Sequence, residues 1–100
     1  MLNQINKTKD RVKRLLTRRS ELRDNDNRLI AVFWGHEIGA TTLENLSALD
    51  LLDKIATGQL TAGDTITRAR RKVQEENEEL RGVKYKARER AAEEVRQGIN

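Results

Sequence analysis

From Gly58 to Gly82 the chain reads GQLTAGDTITRARRKVQEENEELRG, and its apolar residues Ile66, Ala69, Val73 and Leu80 share one narrow stripe at helical spacing. Thr61 to Asp64 has the form of a capping box, a hydroxyl at the N-cap and an acid three residues on. Gly82 stands where a C-terminal cap is expected. The spacing predicts a helix over 62–81 with one buried face. The charges on the rest of that helix are segregated along its axis: RARRK fills 68–72 and EENEE fills 75–79. A helix dipole favours the opposite order. Arg71 with Glu75, and Lys72 with Glu76, are i,i+4 pairs, which leaves Arg68 and Arg70 without an acidic partner at helical spacing. A solvated face and an anion-binding face both fit this pattern.

A chain of 100 residues suits a single domain with a modest core. Only 36% of residues are hydrophobic and 3% aromatic, against 36% charged, so exposed helix faces must account for much of the chain. There is no proline, and Glu, Arg, Lys, Leu and Ala are abundant. These features predict an all-α protein, a compact bundle of four to five helices with a helix-turn-helix-like centre and a charged N-terminal helix, able to complete its core as a homodimer. The absence of cysteine excludes disulfides and thiolate metal sites. No apolar run has the length of a membrane span, and a cytoplasmic protein with no membrane contact is expected.

The net charge of +4 is unevenly spread. Between Lys7 and Arg23 eight bases face two acids, whereas between Asp24 and Asp64 seven acids face two bases. A local basic surface attracts phosphate backbones or acidic proteins.

Taken in order, a basic helix is expected over 5–23, with Ile5, Val12, Leu15, Leu16 and Leu22 on its apolar stripe and Lys7, Lys9, Arg11, Lys13, Arg14 and Arg18 around the remainder. The Asp24–Asn27 cluster is rich in N-cap residues and leads into LIAVFW, which predicts a short buried helix over 26–38. Phe33 and Trp34 read as core anchors rather than a base-stacking platform. His36 beside Glu37 has no second ligand at i+4 and is not read as a metal or general-base site. Thr41 or Thr42 would cap a helix over 42–57 that Gly58 ends, and 83–97 reads as a terminal helix poor in large apolar groups.

The helices at 42–57 and 62–81, joined across Leu60, form a helix-turn-helix-like pair. In DNA-binding versions the second helix enters the major groove, which would present Thr65, Thr67, Arg68, Arg70, Arg71 and Lys72 to duplex DNA. Lys13, Arg14 and Arg18 of the first helix would add phosphate contacts. On this reading, Arg68→Ala with Arg70→Ala abolishes binding without unfolding the domain.

Two stretches, LRDNDNRLIAVFW and ITRARRKVQEENEELRG, resemble those of a widespread set of small proteins encoded by bacteriophages and prophages. In that set a loop rich in Asp and Asn precedes a Trp-bearing helix, and a later Arg-rich helix ends in an ELRG run. The resemblance implies a phage or prophage setting, a bacterial host and little about activity. Many members carry proline just before ELRG; Glu78 stands there in this chain, which would let the central helix continue through Leu80.

No phosphate loop, cysteine nucleophile or paired histidine ligands occur, so no enzyme, cofactor or metal is expected. Two functions stay open: a nucleic-acid-binding module, and a protein-interaction module that binds and inhibits a host protein, engages an acidic host or phage protein, or serves in helical assembly.

Overall fold

The computed structural model describes residues 2–96, with side chains from Lys7 onward. The chain folds as α1 (Leu2–Arg18), α2 (Asp26–Ile38), α3 (Ala40–Glu44), α4 (Ala48–Ala56), α5 (Gly63–Glu76) and α6 (Val83–Arg96), with 3-10 turns over Ser20–Asp24 and Glu78–Leu80 and no strand among the described residues. The expected all-α bundle is what forms. Its core lies where α1, α2 and α5 converge and comprises Val12, Leu15, Leu16, Leu22, Leu29, Phe33, Ile66, Ala69, Val73 and Leu80. The stripe that marked the central helix is therefore wholly buried, and α5 packs chiefly against α1 and then α2. The side chain of Ile5 and the whole of Gln97 lie outside the described residues.

The first helix stops at Arg18 rather than Arg23 because the chain turns back on itself. Arg19 is extended, and the 3-10 turn that follows carries Leu22 into the core. Arg23 then donates through Nε to the Leu16 carbonyl at 3.0 Å. Asn25 caps α2, its side-chain oxygen accepting from the Arg28 amide at 3.1 Å. Leu29 and Phe33, one helical turn apart, fill the core, and Trp34 reaches over to donate Nε1–H to the Thr61 carbonyl at 2.6 Å. Gly39 turns α2 into α3 at φ 89°, a conformation glycine adopts without a steric penalty, and it holds the N-cap position expected of Thr41 or Thr42.

The helix expected over 42–57 is two helices. Ser47 breaks it, leaving the helical region to accept the Asp50 amide on its hydroxyl at 3.1 Å, and so starts α4 afresh. Gly58, at φ 79°, closes α4 with the paired hydrogen bonds Gly58 N–H to Ile55 C=O and Gln59 N–H to Lys54 C=O, a Schellman ending. No residue of α4 is buried. The chain order is helix, turn, helix, but α4 and α5 share no buried face, and α5 takes its support from α1 and α2 instead.

At both ends the central helix differs from expectation. Thr61 does not cap it, because α2 holds that residue: Thr61 N–H and O–H donate to the two oxygens of Glu37 at 2.9 and 2.7 Å. The N-cap is Ala62. At the other end α5 stops at Glu76 without any proline, since Asn77 turns extended and its side-chain amide donates to the Val73 carbonyl at 2.8 Å. The break lets Leu80 swing into the core from a separate turn.

Gly82 consequently caps no helix C-terminus. It precedes α6, and a Cβ there would overlap the carboxylate of Asp24. That carboxylate accepts the Val83 and Lys84 amides at 3.1 and 2.9 Å, so α6 is capped by a residue about sixty positions upstream. Gly82→Ala and Asp24→Ala should each loosen α6 by about 1 kcal/mol, the worth of an N-cap. Hydrogen exchange checks this: amides of α6 should exchange faster in both variants while those of α5 stay protected.

Candidate nucleic-acid interface

The cations singled out on the central helix occupy three different environments. Arg70 is buried at 5% exposure. Its guanidinium grips Asp26 through Nε at 2.7 Å and Nη2 at 3.2 Å, while Nη1 donates to Gln74 Oε1 at 3.0 Å. Gln74, itself fully buried, passes the network on by donating to the carbonyls of Arg23 and Leu80. Arg70 thus holds the fold together and is unavailable to a ligand. It is removed from the binding set, and its acidic partner lies 44 residues away, beyond any search for i,i+4 pairs.

Arg68, expected to lack an acidic partner at helical spacing, is exposed but has one on its N-terminal side: Asp64, four residues earlier, meets it at 3.0 Å. Lys72 has Glu75 at 3.9 Å, whereas Glu76 turns to Lys9 of α1 at 3.0 Å. Thr67 donates its hydroxyl to the Asp64 carbonyl, and Thr65 is exposed. Arg71 is exposed and makes no ion pair among the described residues. The start of α5 therefore offers one uncompensated cation rather than a basic face.

The concentration of positive charge lies on α1. Arg11, Arg14 and Arg18 recur at i, i+3 and i+7 and line, with Leu15 and His36, a groove of about 220 Å³ that has no acid among its lining residues. Packing fixes the position of Arg11, whose guanidinium lies 5.2 Å from the centroid of the buried Phe33 ring. Arg14 turns its Nε toward the Asp10 carbonyl at 3.4 Å, and Arg18 and the neighbouring Lys13 are exposed without an ion pair among the described residues. At the end of α1 the acid Glu21 is engaged by Arg19 at 2.8 Å, and its carboxyl is held below the ordinary range first by a backbone hydrogen bond and then by that guanidinium. Of the residues expected at an interface, the structure brings Arg14 and Arg18 together. It adds Arg11 and His36, the first of which was legible as part of an i, i+3, i+7 arginine stripe.

No helix of the described residues is long and apolar enough to cross a membrane, and those residues contain no group of three or more His, Asp or Glu able to hold a metal ion. The stretches 22–34 and 66–82 meet in space, since the Arg23 carbonyl accepts from Gln74 and Asp26 accepts from Arg70. No protein-family model, curated protein or solved structure matches this chain.

Proposed function

We propose that this is a nucleic-acid-binding module of phage type whose principal contact surface is the basic face of α1, with exposed residues of α5 secondary. The observation that carries the reading is the acid-free groove of Arg11, Arg14, Arg18 and His36. Guanidinium groups in such a row suit the repeated phosphates of a nucleic-acid backbone, each of which accepts two parallel N–H bonds from one arginine. Arg68 and Lys72, with their charge offset by Asp64 and Glu75, add little to the field, and Arg71 lies apart from the groove, on the side that faces α6.

Fluorescence anisotropy with labelled random duplex DNA, at about 50 and 200 mM salt, tests the reading. Wild-type affinity should fall steeply across that range. Arg14→Ala with Arg18→Ala should weaken binding at the lower salt by about tenfold or more, and flatten the salt slope by about 0.9 for each lost phosphate contact. Arg68→Ala should leave it nearly unchanged. Equal binding by wild type and the α1 double variant would sink the proposal, as would no salt-sensitive binding at all.

The exposed apolar face of α4 favours a second reading, a protein-interaction module.

A further inference from the structure

A cavity of about 600 Å³ opens where the 3-10 turn over Ser20–Asp24 and the start of α2 meet the start of α6. Small-molecule sites have volumes of about 300–1,000 Å³. Every side chain that lines this one is polar, and four of them are cations against two acids. The fold already uses both acids. Asp26 turns its two oxygens to Arg70, at 2.7 and 3.2 Å, and so answers that buried charge. Asp24 turns its two to the amides of Val83 and Lys84. Three cations, Arg23, Lys84 and Arg88, therefore border the cavity with no carboxylate in contact among the described residues. Arg23 is also held in place, since its Nε donates to the Leu16 carbonyl at 3.0 Å.

Lys84 and Arg88 are unanswered within their own helix as well. They stand at i and i+4, where like charges repel, and neither has an acid three or four residues away on either side. The acids nearest along α6 are engaged elsewhere, Glu89 by Arg81 and Glu93 by Arg96. Lys84 also lies in the first turn of α6, where the helix dipole disfavours a cation. No residue of α6 is buried, so little packing offsets this arrangement. An anion in the cavity would relieve the repulsion and tie α6 to the body of the domain.

We propose that the cavity binds the paired phosphates of a small diphosphate. Arg23 and Arg88 each offer a planar fork that matches the oxygens of one phosphate, and Lys84 supplies a point charge beside them. Three cations spread around a space larger than one phosphate suit two linked phosphates better than one, and a wholly polar lining gives no seat to an acyl chain. The diphosphate is either inorganic pyrophosphate or that of a free nucleotide. The site shares no lining residue with the groove on α1 and is tested without nucleic acid.

Isothermal titration calorimetry in metal-free buffer at about 100 mM salt, where surface charges are largely screened beyond about 10 Å, is the measurement. Pyrophosphate should bind saturably at one site per chain, and inorganic phosphate about tenfold more weakly or worse. Lys84→Ala with Arg88→Ala should weaken pyrophosphate binding by about tenfold or more. Lys86→Ala with Arg90→Ala removes the same charge from the same helix outside the cavity and should change it by less than about threefold. All four side chains are exposed, and circular dichroism should show both variants folded. Hydrogen exchange gives a second readout: saturating pyrophosphate should slow the amides of α6 in wild type and leave those of the Lys84/Arg88 variant unchanged. ADP that binds as pyrophosphate does identifies a nucleotide as a source of the diphosphate, and ADP that fails where pyrophosphate binds restricts the source to the free ion; both support the site. The proposal is overturned by the absence of saturable pyrophosphate binding, by equal losses in the two double variants, or by a loss of pyrophosphate binding in Arg14→Ala with Arg18→Ala as large as that in Lys84→Ala with Arg88→Ala.

Discussion

Arg70→Ala should destabilise the domain by about 3 kcal/mol, whereas Arg68→Ala, two residues away on the same helix, should shift stability by no more than about 0.5 kcal/mol. The two arginines differ in what their loss leaves behind. Truncating Arg70 strips Asp26 of both its hydrogen bonds and leaves the buried Gln74 oxygen without its donor. Removing one member of a buried ion pair costs about 3–5 kcal/mol, and the lower end applies because the Asp26 side chain keeps 43% of its exposure. Arg70→Lys should recover little, since an ammonium cannot make the two-pronged contact with Asp26 and also reach Gln74. Arg68 and Asp64 are more than 70% exposed, where ion pairs contribute about 0–1 kcal/mol. Urea denaturation of the three variants measures the contrast. An Arg70→Ala midpoint equal to that of wild type would refute the structural role. Against a total stability of about 5–15 kcal/mol, the result also reinterprets the double substitution Arg68→Ala/Arg70→Ala: its expected loss of nucleic-acid binding would come from a weakened fold.

Phe33→Ala should cost about 3–5 kcal/mol, the range for removing a buried aromatic ring. At 2% exposure Phe33 is the largest side chain of the core and sits at the junction of α1, α2 and α5. The cavity would open next to Trp34, the single tryptophan of the chain, so fluorescence reports the unfolding transition directly. Loss of the ring also removes the surface over which Arg11 lies. In protein still folded at low temperature, Phe33→Ala should therefore weaken DNA binding, though less than Arg14→Ala with Arg18→Ala. A melting temperature within a few degrees of wild type would contradict the assignment of Phe33 to the centre of the core, since about 1 kcal/mol moves a domain of this size by 4–8 °C.

What could be read in advance divides along the range of the interactions. Ile66, Ala69 and Val73 advertise their burial because helical periodicity is local, and LIAVFW does so by density. The Asp64–Arg68 pair was equally local and equally legible at i,i+4 spacing, as was Ser47 with Asp50 three residues on as the start of a new helix. Thr61 looked like a cap because nothing near it shows that Glu37 will take both its donors. Arg70 looked free for the same reason: its charge is answered from the far side of the sequence. The basic groove depended on an intermediate case, an arginine stripe visible along α1 whose completion by His36 depends on how α2 packs.

Residues 23 to 26 make four attachments to four different places. The Arg23 carbonyl receives Gln74, Asp24 holds the first amides of α6, Asn25 starts α2, and Asp26 grips Arg70. Each attachment depends on a side chain or carbonyl pointing in its own direction, so inserting or deleting a single residue in this run would misdirect all of them together. By contrast, the link at 45–47 joins two short helices and bears no such load. A change in the length of the chain is thus better borne at the α3–α4 link than within the Arg-Asp-Asn-Asp run, where one change of count undoes what several changes of residue would undo singly.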